Sequence, residues 1–273
     1  MNFRIIAYIV GWVCNFQAAF MILPLLTAGI YREKDFSAFL LAMLVCLVVG
    51  VPLTRKKPKN KVFYIKDGCV AVALSWLALC IFGAIPFVVS GYIPHPIDAL
   101  FETVSGFTTT GASILSDVEA LSPSLLMWRS FTHWVGGMGV LIFTMAFLPK
   151  VGGRTQVLVQ AEATGPVSSK LVPKTAMSSR ILYIIYITFT AVETIALRIA
   201  GMPWFDAITT TFSCVCTGGF SVMNQSLGAY NLPACEVIAI VFMLLGSLNF
   251  AFFFLVITGR ARQALRSDEL KFF

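Results

Sequence analysis

The run Ser105-Gly106-Phe107-Thr108-Thr109-Thr110-Gly111-Ala112-Ser113 is polar, glycine-containing and rich in β-branched threonine, a make-up unsuited to the middle of a membrane helix. It recurs. A gapless shift of 108 positions lays Ile97–Ser113 over Phe205–Ser221. Seven positions then coincide: Asp98/Asp206, Ala99/Ala207, Thr103/Thr211, Ser105/Ser213, Thr109/Thr217, Gly111/Gly219 and Ser113/Ser221. One polar loop is therefore written twice, each copy lying between long apolar segments.

The surroundings of the two copies set the class. Of 273 residues, 58% are hydrophobic and only 12% charged, and the mean hydropathy is +0.85. A soluble domain carries about 25% charged residues, so the sequence reads as an integral membrane protein. The net charge of +7 does not point to nucleic acid. Sixteen of the twenty Lys and Arg lie at Arg4, Arg55–Lys66, Lys150–Arg180 and Arg260–Lys271, short segments beside apolar runs. Basic residues in such places orient membrane helices. The seven cysteines suggest no disulfide framework; Cys14, Cys46, Cys69, Cys80 and Cys235 lie in or beside apolar stretches, as small hydrophobes do. Cys214-Val215-Cys216 is a weak metal signal, and Arg4 with its apolar run reads as a retained helix, not a cleaved leader.

Along the chain, residues 5–30 and 36–53 form two leading spans, the first marked by Pro24 and Gly29 as sites of kinking or ending. With the basic loop after them they make a first segment, 1–66. Residues 67–150 are a first repeat: a span over 68–90, a short helix over 97–107, the polar loop, and a span over 124–148. About 11 residues is half of what a bilayer crossing needs, so helix and loop together read as re-entrant. Such backbone is tolerated at membrane depth only where protein buries it or water lines it. After a cytoplasmic connection, 151–180, the second repeat fills 181–258. It has a span over 181–200, a short helix over 204–214, the loop Val215–Ser221 and a span over 233–258. Residues 259–273 are a basic tail. Under this topology the N-terminus and every strongly basic segment are cytoplasmic, and both loops enter from outside. The outer side then holds Asp98, Glu102, Asp117, Glu119, Asp206 and Glu236, an acidic vestibule that draws cations.

A cation stripped of water needs replacement oxygens. Backbone carbonyls supply them where the chain is extended and Gly permits the conformation. Threonine adds a hydroxyl and a stiff χ1, and the short helix turns its partly negative C-terminal end toward the loop. Helix–helix packing through Gly, Ser and Thr is the plainer use of such residues. The duplication, the short preceding helix and the flanking Pro and Gly breakers weigh against it.

Thr109-Thr110-Gly111-Ala112 and Thr217-Gly218-Gly219-Phe220 resemble degenerate versions of the TVGYG potassium-channel filter. The span–pore loop–span repeat resembles the Trk/Ktr/HKT superfamily of potassium transporters. SGFTTTGAS and TGGFS are similar to the first and second filters of the bacterial Trk-type (TrkH/TrkG-like) uptake subunit, with GMPxFDA before the second loop and WRSxTxWxGGMG after the first. The resemblance implies an all-α membrane fold: two N-terminal helices, then tandem helix–re-entrant pore loop–helix repeats. It implies potassium contacts from the carbonyls of Thr109, Thr110, Thr217 and Gly218, with Gly111 and Gly219 as filter glycines. With one such glycine per repeat, a filter less rigid than TVGYG is expected, and sodium is a candidate second ion. The family carries four units around one pore, whereas this sequence holds two, so a truncated or split product is expected, with a non-conducting scaffold as the alternative. The resemblance also implies transport without enzymatic chemistry, a homodimer, a cytosolic nucleotide-binding regulatory subunit (TrkA-like) and a bacterial inner-membrane location.

Other features take simpler readings. Gly136-Gly137-Met138-Gly139 sits within a span with no strand before it and reads as close helix packing. His95 and His133 have no second ligand at helical spacing. Glu193, inside an apolar run, reads as a structural partner within the bundle ahead of an ion-path residue. Trp12, Trp76, Trp128, Trp134 and Trp204 read mostly as interfacial anchors.

Overall fold

The computed structural model describes residues 2–55, 58, 64–139, 175–248, 252–253 and 256. All regular structure among them is helical. The expected connection 151–180 lies outside the described residues up to 174, as do the end of the span expected over 124–148 and the tail 259–273.

The chain opens with α1 (Phe3–Phe20) and α2 (Ile22–Tyr31). They are one apolar run interrupted at Met21, not one uniform helix. Pro24 is the cause: it has no N–H for the Phe20 carbonyl, and its ring crowds that carbonyl. Hydrogen bonds from Met21 N to Gln17 O (3.0 Å) and Leu25 N to Met21 O (3.1 Å) carry the helix past the break. Arg32 ends α2 in a left-handed conformation (φ 53°). Its neighbour Glu33 then caps another helix, accepting the Ser124 N–H at 3.2 Å. A carboxylate at a helix start satisfies a free N–H and meets the positive end of the dipole.

α3 (Phe36–Arg55) and α4 (Ile65–Ser90) follow; then come α5 (Pro96–Phe107), α6 (Pro123–Gly137), α7 (Thr175–Ile199), α8 (Trp204–Cys214) and α9 (Pro233–Ser247). Among the described residues, four stretches are long and apolar enough to cross a membrane: Phe3–Tyr31, Phe36–Arg55, Lys66–Ser90 and Leu182–Ile199. α7 starts six residues before the expected 181. The order long helix, short helix, loop, helix thus occurs as α4–α5–α6 and again as α7–α8–α9.

α1 lies against α3 and α4, α4 against α5, and α5 against α6. α6 is the hinge between the halves, since it also touches α2 and α8. It carries the composition of such a place: Ser124, Arg129, Ser130, Thr132 and His133 are all buried among Leu125, Trp128 and Val135. Trp128 is fully buried, edge-on to Phe39 and Phe107. Its Nε1–H donates to the Gly83 carbonyl at 3.0 Å. The interfacial role expected for Trp128 is therefore wrong; its apolar area and single donor are both used in the core. Outward positions are apolar instead, with Leu44, Val48, Leu77, Ile81, Ile187 and Leu244 exposed. That arrangement suits a lipid solvent, in which helices gain nothing by hiding leucine.

Candidate functional site

The two polar loops are built on matching scaffolds. α5 begins with Pro96 at its first turn and α8 follows Pro203, so each short helix has a definite start. Asp98 and Asp206 lie in their first turns, where a carboxylate meets the positive dipole end. α5 has 12 residues and α8 has 11. At about 1.5 Å per residue neither covers much more than half of a bilayer core.

At the C-terminal ends the chains leave the helix through the same bonds. Thr109 N donates to Gly106 O at 3.1 Å and Thr217 N to Cys214 O at 2.8 Å. Thr110 N donates to Ser105 O at 3.0 Å and Gly218 N to Ser213 O at 2.9 Å. The dihedrals match too. Thr109 has φ 55° and Thr217 φ 59°, Gly111 has φ 75° and Gly219 φ 82°. A left-handed glycine is ordinary. A left-handed threonine is not: the conformation costs about 1–2 kcal/mol for an L-residue. Two such threonines at the same place in each copy mark strain kept by the surrounding fold, and strain of this kind gathers at functional sites.

The loops also meet. A Cβ on Gly111 would run into the Gly218 carbonyl oxygen. Gly218 itself lies against the His133 ring, where a Cβ would come within 2.7 Å of Nε2. Behind the loops, Gly136 of α6 is pressed on the Phe107 carbonyl and Gly246 of α9 on the Val215 carbonyl. Each contact sits where a short helix ends and its polar loop departs. The expected close packing at Gly136 and Gly137 is present, since a Cβ on Gly137 would strike Cys216 Cβ. All six expected residues, Thr109, Thr110, Gly111, Thr217, Gly218 and Gly219, therefore lie in two abutting loops; Thr110, Thr217 and Gly219 are exposed there.

The acids expected on the outer side differ in their surroundings. Asp117, Glu119 and Glu236 are exposed. Asn224 joins the segments that follow the two loops, donating from its side chain to Asp117 at 2.8 Å and from its backbone to Glu119 at 2.9 Å. Glu102, expected among the vestibule acids, is buried and ion-paired with Arg129. Its carboxylate also accepts the Ile114 N–H at 2.9 Å and the Ser113 hydroxyl at 3.0 Å. Arg129 in turn donates from Nη1 to the Ser221 carbonyl at 2.8 Å and lies 3.6 Å over the Phe220 ring. Sequence reasoning passed over this pair. The available signal was a charge in the middle of each of two short helices, Glu102 in α5 and Arg129 in α6, a placement that calls for a partner.

Glu193 is fully buried on α7, beside the Cys214 thiol of α8. Arg198 lies elsewhere, against the Trp204 ring at 5.6 Å.

Comparison with known proteins agrees with this architecture. The family described as TrkH, cation transport protein, matches residues 35–272. The Trk system potassium uptake protein TrkH of Salmonella typhimurium is 36% identical over 280 residues, covering 100% of this chain and 57% of that protein. The Trk system potassium uptake protein TrkG of Escherichia coli is 34% identical, covering 99% of this chain and 56% of the relative. The crystal structure of the potassium transporter TrkH from Vibrio parahaemolyticus superposes with a TM-score of 0.80 at 30% identity. It covers 97% of this chain and 54% of that one. The chain thus spans about 57% of the length of such relatives. With its helices, paired loops and sequence all in agreement, the chain belongs to the TrkH family of cation transport proteins.

Proposed function

We propose that this chain contributes part of a potassium-conducting path, with its two polar loops as filter segments. Carbonyls of Thr109, Thr110, Thr217 and Gly218 bind the ion, and Gly111 and Gly219 permit the backbone that presents them. The observation that carries this reading is the repeated left-handed pair, Thr109/Gly111 and Thr217/Gly219. Alternating left-handed residues with ordinary ones can turn successive carbonyls to one side, which neither a continuous helix nor a flat strand does. A cation passing such a row exchanges its water for carbonyl oxygens. The negative ends of α5 and α8 favour positive charge at the same place.

The relatives' names as potassium uptake proteins support the choice of ion. Sodium passes as a competing ion, because a filter with one left-handed glycine per loop holds its oxygens less rigidly. The repeats 67–150 and 181–258 supply one filter segment each, following the leading helices 1–66. The likeness to Trk-type subunits supports a bacterial inner-membrane location, and the placement of Lys and Arg beside apolar runs favours a cytoplasmic side for the basic segments. A homodimer and a cytosolic nucleotide-binding regulator of the TrkA type complete the assembly. The connection 151–180 and the tail 259–273 face that regulator. The path is passive and calls for no catalytic group.

Growth at low potassium in a host without its own uptake systems tests the reading. The chain is expressed alone and beside the remaining portion of a Trk-type subunit. Rescue in either setting that Gly111→Ser and Gly219→Ser abolish is the expected result. Absence of rescue in both settings, or rescue indifferent to both substitutions, refutes it.

A further inference from the structure

We infer that Glu102 and Arg129 form a positioning pair that sets the spacing between the outer ends of the two loops and thereby the discrimination between cations. The inference rests on the proposed function. It starts from what each partner holds. The Glu102 carboxylate takes the Ile114 N–H at 2.9 Å and the Ser113 hydroxyl at 3.0 Å, so it anchors the chain just after Gly111-Ala112. Arg129 holds the Ser221 carbonyl at 2.8 Å and covers the Phe220 ring at 3.6 Å, so it anchors the chain just after Gly219. The ion pair joins the two anchors. Each loop is thus tied at its exit to one member of a buried pair, and the members are tied to each other.

The device is single. At the offset that superposes the repeats, the position matching Glu102 is Thr210. Pro123 of α6 matches Pro233 of α9, so the position matching Arg129 is Ala239. Both are buried, and neither carries charge. The first half therefore supplies the clamp for both loops. A pair that served only to hold one repeat together would have its contacts within that repeat; this one reaches Ser221 across the boundary.

The chemistry is that of a planar donor used in two directions. A guanidinium can satisfy a carboxylate with one face of its fork and a carbonyl with another, while stacking on an aromatic ring. An ammonium offers a single point of charge. Lysine at 129 can keep the attraction to Glu102 but cannot hold Ser221 and cover Phe220 as well. Removing either charge alone leaves its partner buried and uncompensated; removing both does not.

The experiment uses the protein in its complete complex, reconstituted in liposomes, with rubidium and sodium uptake measured side by side. The variants are Glu102→Gln, Arg129→Gln, the double Glu102→Gln/Arg129→Gln, and Arg129→Lys. Melting in detergent is followed for each, with and without added potassium. Expected is a rise in the sodium-to-rubidium ratio of about ten-fold in the neutral variants, the equivalent of about 1.4 kcal/mol. The double variant should shift by less than the product of the two single changes, because the pair acts as a unit. Arg129→Lys should regain melting temperature without regaining the ratio. A purely structural pair predicts that the two recover together, and that outcome overturns the inference.

Should the single variants fail to fold, the double variant, free of a lone buried charge, decides: an unchanged ratio overturns the inference, and a raised one upholds it. If wild-type protein passes rubidium and Gly111→Ser blocks it while the double variant discriminates normally, the positioning role fails and the proposed function stands. If wild-type protein passes neither ion, the proposed function fails and takes the inference with it.

Discussion

Alanine at Gly136 or Gly246 should destabilise the protein, although alanine is the better helix former. The two glycines occupy equivalent places, each 13 residues beyond the proline that starts its helix. On helix propensity alone, Gly→Ala within a helix is favourable by about 1 kcal/mol. Packing opposes it. A Cβ on Gly136 would collide with the Phe107 carbonyl oxygen and lie 2.7 Å from its carbon and 3.0 Å from its Cα. One on Gly246 would collide with the Val215 carbonyl oxygen and lie 3.2 Å from its carbon. These are backbone atoms at a helix end and cannot rotate aside as a side-chain tip would. Overpacking of this kind costs about 1–3 kcal/mol, more where several fixed atoms are struck. The contact term therefore outweighs propensity, and Gly136→Ala should be the worse of the two. Gly29 supplies the control: it is in α2, and nothing lies within 4 Å of its added Cβ. Gly29→Ala should be neutral or stabilising by up to about 1 kcal/mol. Denaturant unfolding in mixed micelles, followed by tryptophan fluorescence, measures all three. A stabilised Gly136→Ala would show that α5 and α6 part freely, and the close approach would lose its meaning. If the reasoning holds, the surviving Gly136→Ala protein should also conduct poorly, because the Phe107 carbonyl leads directly into Thr108–Gly111.

Two further predictions address the loops themselves. Thr109→Gly and Thr217→Gly relieve a left-handed threonine worth about 1–2 kcal/mol, against about 0.4–1 kcal/mol of added freedom in the unfolded chain. Stability in the same unfolding assay should hold or rise slightly while potassium-over-sodium preference falls; a clear loss of stability would show that the hydroxyl, not the backbone, matters there. Gly218→Ala should cost about 1–3 kcal/mol by driving a methyl into the His133 ring, and adding His133→Ala should restore most of it. No restoration in the double variant would mean that the loop, not the ring, is what resists.

The short helices were legible to within a residue: 97–107 against Pro96–Phe107, and 204–214 against Trp204–Cys214. Their starts are set by Pro96 and Pro203 and their ends by the polar loop residues that follow, all acting on the local backbone, so a linear reading finds them. The break at Met21 was half legible, because Pro24 announces a kink whose place depends on the carbonyl it frees. Trp128 was misread because tryptophan at a span end looks the same whether it meets headgroups or a neighbouring helix. The acceptor that decides the matter is Gly83, 45 residues away. Glu102 was misread for a similar reason. Its partners are Arg129, Ser113 and Ile114, and no periodicity of α5 reveals them.

The sequence by itself determined the solvent of this protein, the order of its helices and the doubling of a threonine–glycine loop. Each follows from composition or from backbone preferences that act within a few residues. Only the tertiary structure decided that the loops abut at Gly111 and Gly218, that Thr109 and Thr217 are held left-handed, and that one buried ion pair fastens both exits. The meetings of Gly111 with Gly218 and of Arg129 with Ser221 are contacts between segments about 100 residues apart. They depend on how closely helices approach, and side-chain size and charge acquire that meaning only once a neighbour is in place.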